Sequence, residues 1–314
     1  MPEGPLQVLF AGSGHFGLPT LRALCDRGHQ IVRVYTQPDR PAGRGQRLTP
    51  TPIARFAREH ALPLTPTADL NDEPLPPADV LVVIAFGQKI AEHVTRHPRL
   101  GAVNLHGSIL PKFRGAAPVN WAIIAGEHQT GNSVIRLAQK MDAGAVLGQS
   151  MISIGPLETA GELHDRLADD GAPLVLRVLD ELATGTAVEV EQDHARATLA
   201  RKLSRESTRL EWHGAARDAA RRIRGMYPWP GCRARLLDDQ REIARLTLVR
   251  ATHDDRGDDL PEKAGEILPD GSVACNTGRL VVVELQPEGK RPMTLEAFRN
   301  GHPWRAGMRL ESIV

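Results

Sequence analysis

The sequence predicts an α/β protein in two parts: a Rossmann-like, mostly parallel sheet covered by helices, then a small β-barrel of OB-like build. Three observations carry that expectation. Residues 7–11, 30–36 and 80–85 read as strands, the last apolar throughout, separated by stretches with helical spacing, which is how a doubly wound parallel sheet reads. Beyond residue 208 the pattern changes to short strands at 233–237, 244–250, 265–268, 272–274 and 280–285, spaced regularly enough for a small barrel. Finally, 314 residues with 41% hydrophobic content are long for one core and comfortable for two. The limits expected are an N-terminal domain at 1–188, a linker at 189–207 and a C-terminal domain at 208–314.

The first strand leads into Gly12-Ser-Gly-His-Phe-Gly17 and a helix opening near Pro19, formally a G-x-G-x-x-G turn. A dinucleotide site would want an acidic residue at the tip of the second strand. That strand ends at Gln37-Pro38, and Asp39 falls in the following loop, so the glycines read as room for a tight turn. Residues 37–48 are too rich in Pro and Gly for regular structure, and they carry Arg40, Arg44 and Arg47 with only Asp39 to balance them. A helix is expected over 52–60, an extended piece at 62–64 and a surface turn at 74–77. The run 80–85 is apolar on both faces, as a central strand should be, with Phe86-Gly-Gln-Lys89 at its carboxyl end.

The most informative stretch is Asn104-Leu-His106-Gly-Ser-Ile-Leu-Pro-Lys-Phe-Arg-Gly-Ala-Ala-Pro118. It begins as a strand on which Asn104 and His106, two residues apart, share one face. Gly107, Pro111 and Gly115 then break the strand into a loop at the carboxyl edge of the sheet, where open α/β sheets bind ligands. A short helix at 119–125 and two strands, 130–137 and 146–153, place Asp142 on the turn between them. From 159 to 182 apolar residues recur at helical spacing, and Thr159 and Glu162 fit a capping box. Periodicity is lost over 188–207. A basic helix at 215–225 and the turn Tyr227-Pro-Trp-Pro-Gly231 follow.

Charge is balanced overall, 39 basic against 38 acidic residues, but residues 196–250 hold 14 Arg and Lys against 6 Asp and Glu. That asymmetry suits a protein of which one part faces phosphates. Cys25, Cys232 and Cys275 are scattered and lack metal-ligand spacing, so inert core thiols and a reducing cytoplasm are expected. No apolar run is long enough for a membrane span, and the first residues lack a basic region, so no membrane association is expected.

The run 104–118 resembles the signature of the folate-dependent formyltransferases, and Met141-Asp-Ala-Gly144 resembles that family's second signature. The Trp229-Pro-Gly231 turn, Gln286, Gly289-Lys-Arg291, Met293 and Phe298-x-x-Gly301 resemble its C-terminal domain, so the likeness spans essentially the whole chain. Loop 37–48 resembles the insertion that separates members acting on aminoacyl-tRNA from smaller relatives acting on free metabolites. Two departures stand out. Ser13-Gly14 replace the usual Thr-Pro, and Leu199 and Arg201 stand where members carry Tyr and Pro before Lys202-Leu-Ser204.

The resemblance implies Asn104, His106 and Asp142 as catalytic residues and 10-formyltetrahydrofolate as co-substrate, with no metal. It implies a folate site along Ser108, Ile109, Leu110 and Pro111, walled by Phe86 and Gly87. Initiator methionyl-tRNA would be the acceptor, its acceptor arm met by Arg40 and Arg44. The basic stretch adds Lys202, Arg221, Arg222 and Arg224 for more distant phosphates. A monomer is expected. The same three side chains would equally serve a folate hydrolase with water as acceptor, or a formyltransferase acting on glycinamide ribonucleotide or a nucleotide sugar. A basic barrel alone would suit a non-enzymatic RNA-binding module. The arginine-bearing loop and a C-terminal domain of about a hundred residues favour the aminoacyl-tRNA reading.

Overall fold

A computed structural model describes residues 4–42, 45, 47–255 and 263–314; the expectation for Arg44 falls outside the described residues. Along the first 200 residues run β1 (Gln7–Gly12), α1 (Leu18–Asp26), β2 (Gln30–Thr36), β3 (Arg40–Ala42), β4 (Arg47–Thr49), α2 (Pro52–Glu59), β5 (Leu64–Pro66), β6 (Val80–Ile84), α3 (Glu92–Arg96), β7 (Ala102–His106), β8 (Arg114–Gly115), α4 (Pro118–Ala125), β9 (Gln129–Thr130), β10 (Ser133–Arg136), β11 (Val146–Gln149), β12 (Ile152–Ser153), α5 (Ala160–Thr184) and β13 (Leu199–Ala200). The chain folds as two compact units. One comprises residues 1–118, 130–152 and 164–200, the other residues 119–129, 153–163 and 201–314.

The first unit is built on a seven-stranded sheet in the order β11-β10-β7-β6-β1-β2-β5. The five strands from β7 to β5 are mutually parallel, while at one end β10 runs antiparallel to β7 and β11 antiparallel to β10. The core centres on β6, buried from Val80 to Ile84 because helices leave neither face to water. The chain moves outward from β1 to β2 and β5, then crosses back to β6 and β7, so a topological switch point lies between β1 and β6. The loops leaving these strands are tied together at that edge: the Gln37 N–H donates to Ser13 Oγ at 3.1 Å, and Gln37 Nε2 donates to the Phe86 carbonyl at 3.1 Å.

Loop 37–48 is not wholly irregular, as its composition suggested. β3 pairs antiparallel with β4, Arg40 opposite Thr49 and Ala42 opposite Arg47. Pro41 is compatible with this because a two-stranded ribbon leaves one edge of each strand unpaired, so a missing N–H breaks no ladder.

In the second unit follow α6 (Ala216–Met226), β14 (Cys232–Asp238), β15 (Arg241–Asp254), β16 (Val273–Ala274), β17 (Arg279–Pro287), β18 (Met293–Thr294), α7 (Leu295–Arg299) and β19 (Arg309–Ile313). Their antiparallel sheet, in the order β16-β17-β15-β14-β19 with β18 on β17, curls into a half-barrel on which α6 packs against β15. The structure departs from expectation in several respects: β15 and β17 run 14 and 9 residues where short strands were expected, and β18 and α7 had no expected counterpart. Residues 265–268 make only bridges, Glu266 with Arg309 and Ile267 with Val273, while an unforeseen strand, β19, pairs along β14. At five residues ending one short of the chain terminus, β19 is too short for its alternation to register. The Cys232 and Cys275 thiols are buried, and that burial pushes them up to about 12 and about 11, which leaves no thiolate at neutral pH.

The capping box at the start of α5 forms as its spacing requires: the Thr159 N–H donates to Glu162 Oε2 at 2.9 Å and the Glu162 N–H to Thr159 Oγ1 at 3.4 Å. Arg250 then clamps the same carboxylate, donating from Nη1 to Glu162 Oε2 and to the Leu157 carbonyl, each at 2.8 Å, and from Nε to Glu284 Oε2 at 2.9 Å. Hydrogen bonding to Arg250 first, then to Thr159, lowers the Glu162 pKa from 4.5 to about 2. A carboxyl depressed by folding adds stability above its unfolded value and loses it as pH falls through the folded one. Glu162→Gln is therefore expected to lower the thermal midpoint at pH 6, modestly because the carboxylate is half exposed. The gap from wild type should close between about pH 4.5 and about pH 2. A gap that stays constant over that range would show that the ion pair contributes nothing.

Candidate active site

The site is assembled on the last strand of the parallel series. In β7, Asn104 lies between Val83 of β6 and Ile135 of β10, and His106 pairs with Ser133. The expected alternation places Asn104 and His106 on one face while Leu105, 3% exposed, packs into the unit. Asp142 arrives on the turn between β10 and β11, with its Oδ2 3.7 Å from His106 Nδ1. That is ion-pair range and longer than a hydrogen bond. The same Oδ2 accepts the Gly115 N–H at 2.8 Å. His106, 7% exposed, sets its Nε2 2.9 Å from the Phe113 carbonyl, which can only accept, so this nitrogen carries a proton. The imidazole thus has an acceptor on one side and a carboxylate on the other. Asn104 stays half-buried.

The expected folate loop is held by the buried Ser133 and the exposed Gln149. Ser133 Oγ donates to the Ser108 carbonyl at 2.7 Å and accepts from the Leu110 N–H at 3.0 Å, while Gln149 Nε2 donates to the Leu110 carbonyl at 3.0 Å. Ser108 is fully buried, its Oγ donating to the Lys112 carbonyl at 2.7 Å, and Leu110 is 4% exposed, whereas Ile109 and Pro111 are half-exposed. The Phe86 ring, 2% exposed, belongs to the core beside Leu9, Leu81 and Val94, and Gly87 is exposed. Two clefts of about 370 Å³ flank the loop after β6: one is lined by Asp69, Asn71, Gln88 and Lys89, the other by Ile90, Ala102, Arg136, Leu137 and Gln139. Among the described residues no group of three or more His, Cys, Asp or Glu could hold a metal ion, and no helix is long and apolar enough to cross a membrane.

Arg40 is exposed on β3 and donates to Gln37 Oε1. The other arginines expected to meet phosphates lie in the second unit, as does the exposed Lys202. Arg221 faces Asp218 at 3.8 Å, Arg222 donates to the Ser207 carbonyl at 2.7 Å and Arg224 to the Glu158 carbonyl at 3.2 Å. Burial, and then Arg221 and Arg250, disfavour the charge on Arg224.

Sequence reasoning missed Gln192, Arg114, Ser133 and Gln149. Arg114 stood inside the informative stretch, and it is 4% exposed with its guanidinium on Gln192. Gln192 had no signal, since residues 188–207 show no periodicity. That segment lies along the site loop: Leu199 pairs with Arg114 and Ala200 with Gly115, in parallel.

A doubly wound unit with a switch-point edge, followed by a curled antiparallel unit, is the build of the formyl transferases. The sequence matches the Formyl transferase family over residues 6–179 and the Formyl transferase, C-terminal domain family over residues 202–303. The methionyl-tRNA formyltransferase of Methylococcus capsulatus is 40% identical over 97% of this chain and 99% of that protein, and that of Nitrobacter hamburgensis is 39% identical over 97% and 99%. The chain belongs to the methionyl-tRNA formyltransferase family. Its fold is also that of the N-formyltransferase from Helicobacter canadensis solved with folinic acid and dTDP-3-aminofucose: TM-score 0.65, 12% identity, 88% of this chain and 98% of that one. The sugar 3N-formyl transferase WlaRD aligns with a TM-score of 0.63 and 13% identity over 92% and 100%.

Proposed function

We propose that the chain transfers the formyl group of 10-formyltetrahydrofolate to the α-amino group of initiator methionyl-tRNA, the modification that marks it for translation initiation. The observation that carries this reading is the convergence of Asn104, His106 and Asp142 at the sheet edge in a chain that is 40% identical, nearly end to end, to a methionyl-tRNA formyltransferase. The residues present suit a folate. The half-exposed Ile109 and Pro111 offer apolar surface for a flat ring on the loop that leaves the strand of Asn104 and His106, and main-chain polar groups lie along the same loop. The proposed binding residues remain Ser108, Ile109, Leu110, Pro111, Phe86 and Gly87.

Bound folate supplies the activated formyl carbon. Moving it between two nitrogens builds negative charge on the formyl oxygen and requires a proton to leave the attacking amine and one to reach the nitrogen whose bond to the formyl carbon breaks. Asn104 can donate to that oxygen and never ionises, so its role is to stabilise the developing charge. A protonated His106 donates alongside it. Asp142 holds the imidazole and takes up the amine proton, directly or through water. Arg40 and Arg44 meet the acceptor arm, and Lys202, Arg221, Arg222 and Arg224 meet phosphates farther off. The functional division keeps residues 1–188 as catalytic domain, 189–207 as linker and 208–314 as tRNA-binding domain, in a monomer working in the cytoplasm.

The test is direct. Incubation with 10-formyltetrahydrofolate and charged initiator tRNA is expected to yield formylmethionine after the aminoacyl ester is cleaved. Release of formate with no formylmethionine would instead make the chain a folate hydrolase.

A further inference from the structure

We infer that Gln192 is a positioning residue of the reaction, anchored by Arg114, and that it acts by fixing the turn that carries Asp142. The inference rests on the role given to Asp142 above. Gln192 is 7% exposed and lies 50 residues along the chain from Asp142, in the segment expected to be a linker. Its Nε2 spends both hydrogens on one turn, donating to the Asp142 carbonyl at 2.9 Å and the Gly144 carbonyl at 2.7 Å. Its Oε1 is gripped from behind by Arg114, whose Nη2 and Nε donate at 2.6 and 3.1 Å. Arg114 Nη2 also lies 2.9 Å from His194 Nδ1; a guanidinium only donates, so that histidine nitrogen is bare.

The turn is therefore held from two directions. The Gly115 N–H takes the Asp142 carboxylate, and Gln192 takes the main-chain carbonyls of Asp142 and Gly144. Arg114 and Gly115 are neighbours, so the arginine that orients Gln192 is covalently joined to the amide that orients the carboxylate. Arg114 and Phe113 are strapped to the segment that follows Gln192: the Arg114 N–H donates to the Thr198 carbonyl at 2.9 Å and the Phe113 N–H to Thr198 Oγ1 at 2.8 Å. Asp142 itself has φ +50, a left-handed conformation uncommon for residues with a side chain, though aspartate tolerates it better than most. The turn's own bond, from the Ala143 N–H to the Lys140 carbonyl at 3.2 Å, brackets Asp142, and Gln192 adds two side-chain donors to the carbonyls of Asp142 and Gly144. A misplacement of about 1 Å at a reacting group costs on the order of a hundredfold in rate, so a residue that never touches substrate can act this way.

Gln192→Glu separates positioning from plain structure. The glutamate has the same shape and still accepts from Arg114, now as an ion pair, but it has no hydrogens for the Asp142 and Gly144 carbonyls. The expected result is a folded protein with a somewhat lowered thermal midpoint, since two carbonyls lose their donors, with KM for folate and for tRNA within about twofold and kcat lower by about thirtyfold or more at temperatures where the variant is folded. Combined with Asp142→Asn it should add little further loss, because both changes strike one unit. Unchanged kcat in the folded variant, or a rise in KM at constant kcat, overturns the inference, as does full additivity with Asp142→Asn. If Gln192→Glu does not fold, Gln192→Met is read by the same measures. Failure of both to fold makes Gln192 structural only and also ends the inference. Should Asp142→Asn alone retain normal turnover, the fault lies with the role given to Asp142.

Discussion

Asp142→Asn is expected to lower kcat by about a hundredfold or more while KM for both substrates stays within about twofold, because the lost charge acts in the transition state. Asparagine is the informative replacement. It has the shape of aspartate, it tolerates the left-handed φ of +50 better than most residues, and its oxygen can still accept the Gly115 N–H. What disappears is the negative charge 3.7 Å from His106 Nδ1 and the ability to take a proton from the attacking amine. His106→Ala and Asn104→Ala should each cost a similar factor, and combinations should not multiply, since the three groups act on one transition state. Steady-state formylation of charged initiator tRNA by the purified variants measures all of this. Near-normal turnover of the Asp142→Asn protein would remove Asp142 from the mechanism.

Gly144→Ala is expected to damage the same turn by a different route, and to reduce stability together with activity. A Cβ at this position would stand 1.9 Å from the Arg136 carbonyl oxygen and 2.9 Å from its carbon. Those are backbone atoms of β10, and they cannot swing aside as a flexible side chain would. The Arg136 N–H is committed to the Ala145 carbonyl at 2.9 Å, and the Gly144 carbonyl to Gln192 at 2.7 Å. Relief therefore requires the turn to move as a body, breaking bonds on both sides of Asp142. A backbone clash of this kind costs about 2–4 kcal/mol, which for a chain of this size is a fall of roughly 5–15 °C in thermal midpoint. Activity should drop by more than a hundredfold even at temperatures where the protein stays folded. A Gly144→Ala protein with both the midpoint and the turnover of wild type would mean that the turn has slack.

Much of the fold is legible in local pattern. The five residues of β6 are buried on both faces and read as one apolar run; α2 has Pro52 at its first position and Thr51, which accepts the Ala54 N–H, as its cap. These signals survive because strand and helix periods are set within a few residues of chain. The pair Asn104 and His106 is legible for the same reason, since a spacing of two on a strand is itself a statement about which way side chains point. Asp142 can be placed on a turn between strands, though its distance from His106 cannot be read off.

By itself, then, the sequence determined the doubly wound sheet, the strand that carries Asn104 and His106, the change to a strand-rich pattern after residue 208 and the capping box on α5. The tertiary structure alone decided that residues 119–129 and 153–163 join the second unit, that Arg309–Ile313 completes its sheet, and that loop 37–48 contains a paired ribbon. It alone brought Gln192 to Asp142 and Arg114 to Gln192 across separations of 50 and 78 residues. The reason is physical. Periodicity records which face of an element is hidden from water, and hydrophobic burial is non-directional, so a local reading suffices. A buried hydrogen bond needs a donor and an acceptor within about 3 Å in the right direction, and only the completed packing of distant segments supplies that.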